Sequence, residues 1–251
     1  MHTAAKLGLL LGLVLPAHFL YATQSNIIKA AIPSSMPPYI IESTKSGIAL
    51  DIISSIYSDN GYKLDFSFLP NHRVAKEFLD KKHALAFSIP YDNSNQKIFY
   101  SKAILSFKNV VVSLAANNCQ IASLSDLQNL SITAFQNATN FLGEKFKELA
   151  KENRYYKEIT NQQQQLTLLL KGRTDVIIME ERIFLYHLKK LKLSNVVKQK
   201  FKIHAIFKAS KRYCAFHDIQ QRDMFNRGLE SIKKSADYQA IIDKYITVLK
   251  P

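Results

Sequence analysis

Hydrophobic positions along this chain alternate between two spacings in a recurring order. A β-type run at 26–32 ends at Pro33, and Pro33, Pro37 and Pro38 force a loop that leads to Tyr39. Apolar residues then recur at helical spacing over 47–57, and Asn60-Gly61 stops them. Alternation at 62–68 predicts a strand, 71–80 a helix, and the continuous run 84–89 a buried strand. Strand, helix, strand, helix, strand is the rhythm of a parallel α/β sheet.

The rhythm then repeats without a visible sequence repeat. The apolar run 104–114 predicts a long strand or crossover. After it come a short helix at 123–127, a strand at 130–134, a helix at 140–153, a strand at 155–159, a helix at 162–170, a strand at 175–179 and a helix at 182–192. A returning strand is predicted at 202–207 and a long helical tail at 225–248, which must pack on the first unit. The expected fold is therefore α/β and two-lobed, each lobe a mainly parallel sheet flanked by helices. Lobe 1 takes 26–113 plus 205–251, and lobe 2 takes 114–204. A ligand would sit between the lobes, where the carboxyl ends of the strands open.

The beginning of the chain has a different pattern. Lys6 precedes a compact apolar run, and Thr23-Gln24-Ser25 is the first polar stretch. This predicts a signal peptide at 1–22, cleaved after Ala22, because the run is too short to span a bilayer. With no cysteine near that point, lipid attachment has no acceptor. The expected product is a soluble, unanchored protein of the periplasm.

Composition changes this picture little. The chain of 251 residues carries 34 Lys and Arg against 20 Asp and Glu, a formal charge of +14. The cations are scattered among acids rather than gathered in a block, which argues for a basic surface and against nucleic acid as partner. Cys119 and Cys214 form no CxxC motif, and a disulfide between them stays open. The histidines, His83, His187, His204 and His217 among them, lack metal-ligand spacing, so neither a metal nor another cofactor is expected.

Several short pieces occur in a characteristic order: Pro37-Pro38-Tyr39, Gly47 with Asp51, Arg73, Tyr100-Ser101, Ser123-Leu-Ser-Asp-Leu127, Leu169-Leu-Lys-Gly-Arg-Thr-Asp175, Phe225-Asn226 with Gly228-Leu229, and Tyr238 through Ile241-Ile242 to Lys244-Tyr245. In this order the chain resembles the extracellular solute-binding proteins of polar amino-acid ABC transporters, which have the type II periplasmic-binding fold. The resemblance implies a monomer that captures a small polar solute, an amino acid or a related amine or acid, and delivers it to an inner-membrane permease. It implies no catalysis. A ligand-binding sensor module, or a dehydratase-like enzyme on the same fold, are the other readings.

The chain departs from the pattern at two points. Lys82-His83-Ala84-Leu85 stands where the family shows Gly-x-x-Asp. The segment from Ser88 to Lys97 lacks the arginine that clamps a ligand carboxylate, and its nearest cation is Lys97. A lysine is a point charge, not a planar fork.

The candidate ligand residues follow from these placements. Tyr39 is a loop aromatic that could cover a solute. Phe87 and Ser88 end a strand at the cleft. Arg73 and Lys97 could hold an anionic group. Asn137 and Thr139 begin a helix whose free amides could bind an anion. The resemblance gives Glu180 the role of pairing with a ligand amino group, with Glu181 the adjacent alternative; the other reading is a first-turn acid stabilising the next helix dipole. A catalytic residue is not expected.

Overall fold

The computed structural model describes residues 26–89, 91 and 97–246, so the predicted signal peptide lies outside the described residues. The first unit opens with strand β1 (Ile27–Pro33), helix α1 (Ile48–Ser58), β2 (Lys63–Leu69), α2 (Asn71–Leu79) and β3 (Leu85–Phe87). These strands pair in parallel in the order β2-β1-β3, as the alternating pattern predicts. Next come β4 (Phe99–Tyr100), β5 (Leu105–Phe107) and β6 (Asn109–Leu114). The predicted single run at 104–114 is thus two strands, and β6 pairs in the second sheet rather than the first.

The second unit contains β7 (Ile132–Phe135), α3 (Ala138–Phe141), α4 (Glu144–Glu152), β8 (Tyr156–Ile159), α5 (Gln162–Leu170), β9 (Val176–Glu180) and α6 (Glu181–Lys190). The helix predicted at 140–153 is broken at Gly143, whose φ of 93° no helix accommodates. A short α7 (Val197–Lys200) leads to β10 (Phe201–His204), which runs antiparallel to β6. The second sheet has the order β10-β6-β9-β7-β8.

The chain then returns. Strand β11 (Ser210–Arg212) pairs antiparallel with β5 in a two-stranded ladder of its own. Strand β12 (Cys214–Phe216) inserts antiparallel between β3 and β4, completing the first sheet as β2-β1-β3-β12-β4. The sequence pattern gave no sign of β11 or β12, each three residues long. The predicted tail is two helices, α8 (Ile219–Lys234) and α9 (Asp237–Tyr245).

The tail closes on the start of the chain. The Tyr245 hydroxyl donates to Asp51 Oδ2 at 2.6 Å and accepts from the Gly47 N–H at 3.0 Å, while Lys244 Nζ reaches the same carboxylate at 2.8 Å. Gly47 has φ 134°, and a Cβ there would lie 2.4 Å from the Tyr39 carbonyl oxygen, so only glycine fits. Gly228 of α8 lets that helix approach α1; a Cβ would meet Ile56 Cγ2 at 2.7 Å. Ile48, Leu50, Ile52, Ile53 and Ile56 of α1 are fully buried in the core cluster that also takes Phe225, Leu229 and Ile242. Burial of this kind contributes roughly 1.5–3 kcal/mol per large apolar side chain.

Candidate functional site

Two crossings connect the sheets: β5 leads into β6, and β10 leads back to β11. The β5–β11 ladder lies between them. Its backbone is tied from both sides: Arg182 donates through Nη1 to the Ser106 carbonyl at 3.2 Å, and Tyr238 donates to the Ile104 carbonyl at 2.8 Å.

Tyr39 and Glu180, expected on opposite sides of a cleft, meet at this junction. Tyr39 is fully buried, its ring 4.6 Å from that of Phe107, and the Arg212 guanidinium lies 4.2 Å over the same Phe107 ring. The Tyr39 hydroxyl is buried beside Glu180 and Arg182 without a hydrogen bond of normal geometry to either. Burial pushes this phenol up, and the Glu180 charge adds to the push.

Glu180 ends β9 and caps α6. Its carboxylate accepts the amides of Lys108 at 3.1 Å, Arg182 at 2.8 Å and Ile183 at 3.1 Å. Burial raises its pKa against the opposing pull of those amides and of Arg182. Burial alone would lower Arg182, but the neighbouring Tyr39 and Glu180 hold it up. Burial lowers Arg212. Two arginines, a glutamate and two aromatic rings thus form one cluster at the crossings, with Tyr39 and Glu180 buried and Phe107, Arg182 and Arg212 half-buried.

In the second lobe, an internal anion fills the expected anion site. Asn137 adopts the left-handed conformation, φ 63°, and turns the chain from β7 into α3. The amides of Asn137 and Thr139 donate to the Glu158 carboxylate at 2.6 and 3.1 Å, and the Thr139 and Tyr156 hydroxyls donate to it at 3.2 and 2.7 Å. Burial would raise Glu158, but the Tyr156, Thr139 and Asn137 hydrogen bonds outweigh it and hold the acid below its ordinary range.

On the first lobe, Phe87 is buried and Ser88 half-buried where β3 ends. Arg73, in the first turn of α2, forms an ion pair with Glu77 four residues on. Lys97 is exposed. Cys214 pairs with Phe87 across the β12–β3 ladder, which sets Tyr213 level with Ser88. Tyr91 packs 4.7 Å from Tyr100 and 5.4 Å from Tyr213. A cluster of three tyrosines therefore stands at the carboxyl end of the first sheet.

The structure thus brings Tyr39 to Glu180 and Asn137 to Thr139, and it places Phe87 and Ser88 at one strand end. The other partners were not foreseen. Arg212 and Tyr213 lie in a segment with no periodic pattern, and Glu158 reads as an ordinary strand position. Cys119 and Cys214 are free thiols, which closes the disulfide question. Among the described residues no group of three or more His, Cys, Asp or Glu could hold a metal, and no helix is long and apolar enough to cross a membrane. A groove of about 290 Å³ lined by Tyr186, Lys189, Lys190, Lys244 and Tyr245 lies at the ends of α6 and α9, and it contains no predicted site residue.

No family model and no curated protein sequence matches the chain. Solved structures do. An ancestral cationic amino acid solute-binding protein superposes with TM-score 0.71 at 14% identity, over 88% of this chain and 96% of that one. A polar amino acid ABC uptake transporter substrate-binding protein from Streptococcus thermophilus gives 0.67 at 16%, over 88% and 86%. The second substrate-binding domain of Lactococcus lactis GlnP, in an open conformation, gives 0.66 at 21%, over 90% and 98%. The chain has the two-lobed type II periplasmic-binding fold.

Proposed function

We propose that this protein captures a small polar solute between its two lobes and hands it to an ABC-type permease after export across the inner membrane. The observation that carries the reading is the double crossing. Two sheets joined through the short β5–β11 ladder can rotate about it and close over a ligand held at their strand ends. The fold likeness to amino-acid-binding proteins supports the same reading.

On this reading the solute touches Ser88 and Arg73 of the first lobe, with Lys97 on the loop beyond. In the second it meets Glu158, which occupies the Asn137–Thr139 turn. Tyr39 and Glu180 form the floor of the cleft at the hinge. Phe87 supports that floor from the core. The function is binding, with no bond made or broken. Ligand that binds only the closed form stabilises it by roughly 2.7 kcal/mol at a hundredfold excess over Kd.

Thermal denaturation in the presence of each of the twenty amino acids, short aliphatic amines and small organic acids tests this. At least one solute should raise Tm in a concentration-dependent way. A flat response to the whole panel would remove the reading.

A further inference from the structure

The two devices that would hold a ligand carboxylate are missing or already occupied. The segment from Ser88 to Lys97 carries no arginine. The amides of Asn137 and Thr139 are spent on Glu158. What the strand ends offer instead is the π faces of Tyr91, Tyr100 and Tyr213 on one lobe and a carboxylate on the other. Tyrosine faces and a carboxylate both attract positive charge.

We propose that the cleft selects an organic cation, an amine or guanidinium that needs no carboxylate of its own, held against the tyrosine cluster of the first lobe and Glu158 of the second. The inference rests on the solute-capture reading above and names the ligand class for it. Glu158 suits the role because its hydrogen bonds hold its pKa below the ordinary carboxylate range, which favours the charged form. Tyr91 suits it because its side of the cluster is open, with 57% of its surface exposed. The Glu158 Oε2 atom accepts one amide, from Asn137, and keeps a lone pair for a cation.

Calorimetry of the intact protein with two matched pairs decides the matter: arginine with agmatine, and lysine with cadaverine, with glutamate as the carboxylate control. Each decarboxylated amine should bind within about tenfold of its amino acid or more tightly. Glutamate should give no binding heat. Tyr91→Leu, which alters an exposed ring and leaves the core untouched, should weaken agmatine by about tenfold or more, and Glu158→Gln should do the same.

Binding of arginine without agmatine, or binding of glutamate, would overturn the cation assignment and leave solute capture standing. Unchanged agmatine affinity in Tyr91→Leu would overturn the tyrosine site. If no solute in this set or in the wider panel binds, solute capture fails and the cation assignment falls with it.

Discussion

The backbone amide of Asn137 donates to the Glu158 carboxylate at 2.6 Å, so the second lobe supplies its own anion where a ligand's was expected. Glu158→Gln keeps an acceptor but loses the charge. It should cost about 1–3 kcal/mol, measured by urea unfolding. An unchanged midpoint would mean that this carboxylate does not hold the turn.

The same group sets a pH dependence. Its pKa is lower in the fold than in the unfolded chain, so its contribution is present above about pH 4.3 and disappears as pH falls through the folded value. His83 acts earlier. Burial lowers its pKa, only partly opposed by Glu77, so the unfolded chain takes up a proton near pH 6.5 that the fold refuses. Stability should therefore decline in two stages on acidification. His83→Gln should shrink the upper stage, to which His187 and His204, also lowered by burial, contribute, and Glu158→Gln should shrink the lower.

Tyr39 gives a contrast within one residue. Its ring is buried on Phe107, but its hydroxyl makes no well-formed hydrogen bond. Tyr39→Phe should change stability by less than about 1 kcal/mol, whereas Tyr39→Ala should cost about 3–5 kcal/mol. Equal losses in the two variants would show that the hydroxyl is engaged with Glu180 or Arg182 after all.

Gly47 should tolerate nothing larger. The strained φ and the 2.4 Å approach to the Tyr39 carbonyl predict a loss of at least about 3 kcal/mol for Gly47→Ala, or no folded protein. Near-native unfolding of that variant would contradict the geometry of the α1 start.

Free thiols make a separate expectation. Cys214 is fully buried and its pKa is raised by burial, while Cys119 is half-exposed. A thiol reagent should label one site in the native protein and two after unfolding, and reduction should change neither count.

The fold was legible because the residues that carry the resemblance are structural ties. Gly47 and Asp51 bind Tyr245 and Lys244. Asp175 accepts both the amide and the hydroxyl of Ser131, joining the starts of β9 and β7. The Ser101 hydroxyl accepts the Cys214 amide, and Asn226 accepts that of Lys102.

The site was less legible for physical reasons. Strands β11 and β12 are too short to show a period, so Arg212 and Tyr213 could not be placed beside Phe107 and Ser88. Glu180 was foreseen at its strand end and at a helix start, and its cap bonds to the Arg182 and Ile183 amides are local, but its third donor, the Lys108 amide, lies 72 positions away. Glu158 reaches Asn137 only because β8 lies parallel to β7, a neighbour relation that local pattern does not contain.

Small-angle X-ray scattering tests the central claim most directly. The protein would be measured alone and with each panel solute at saturation. The account predicts that at least one solute both raises Tm and reduces the radius of gyration, as the lobes close about the β5–β11 ladder. A radius of gyration unchanged by every solute, including any that raises Tm, would contradict it.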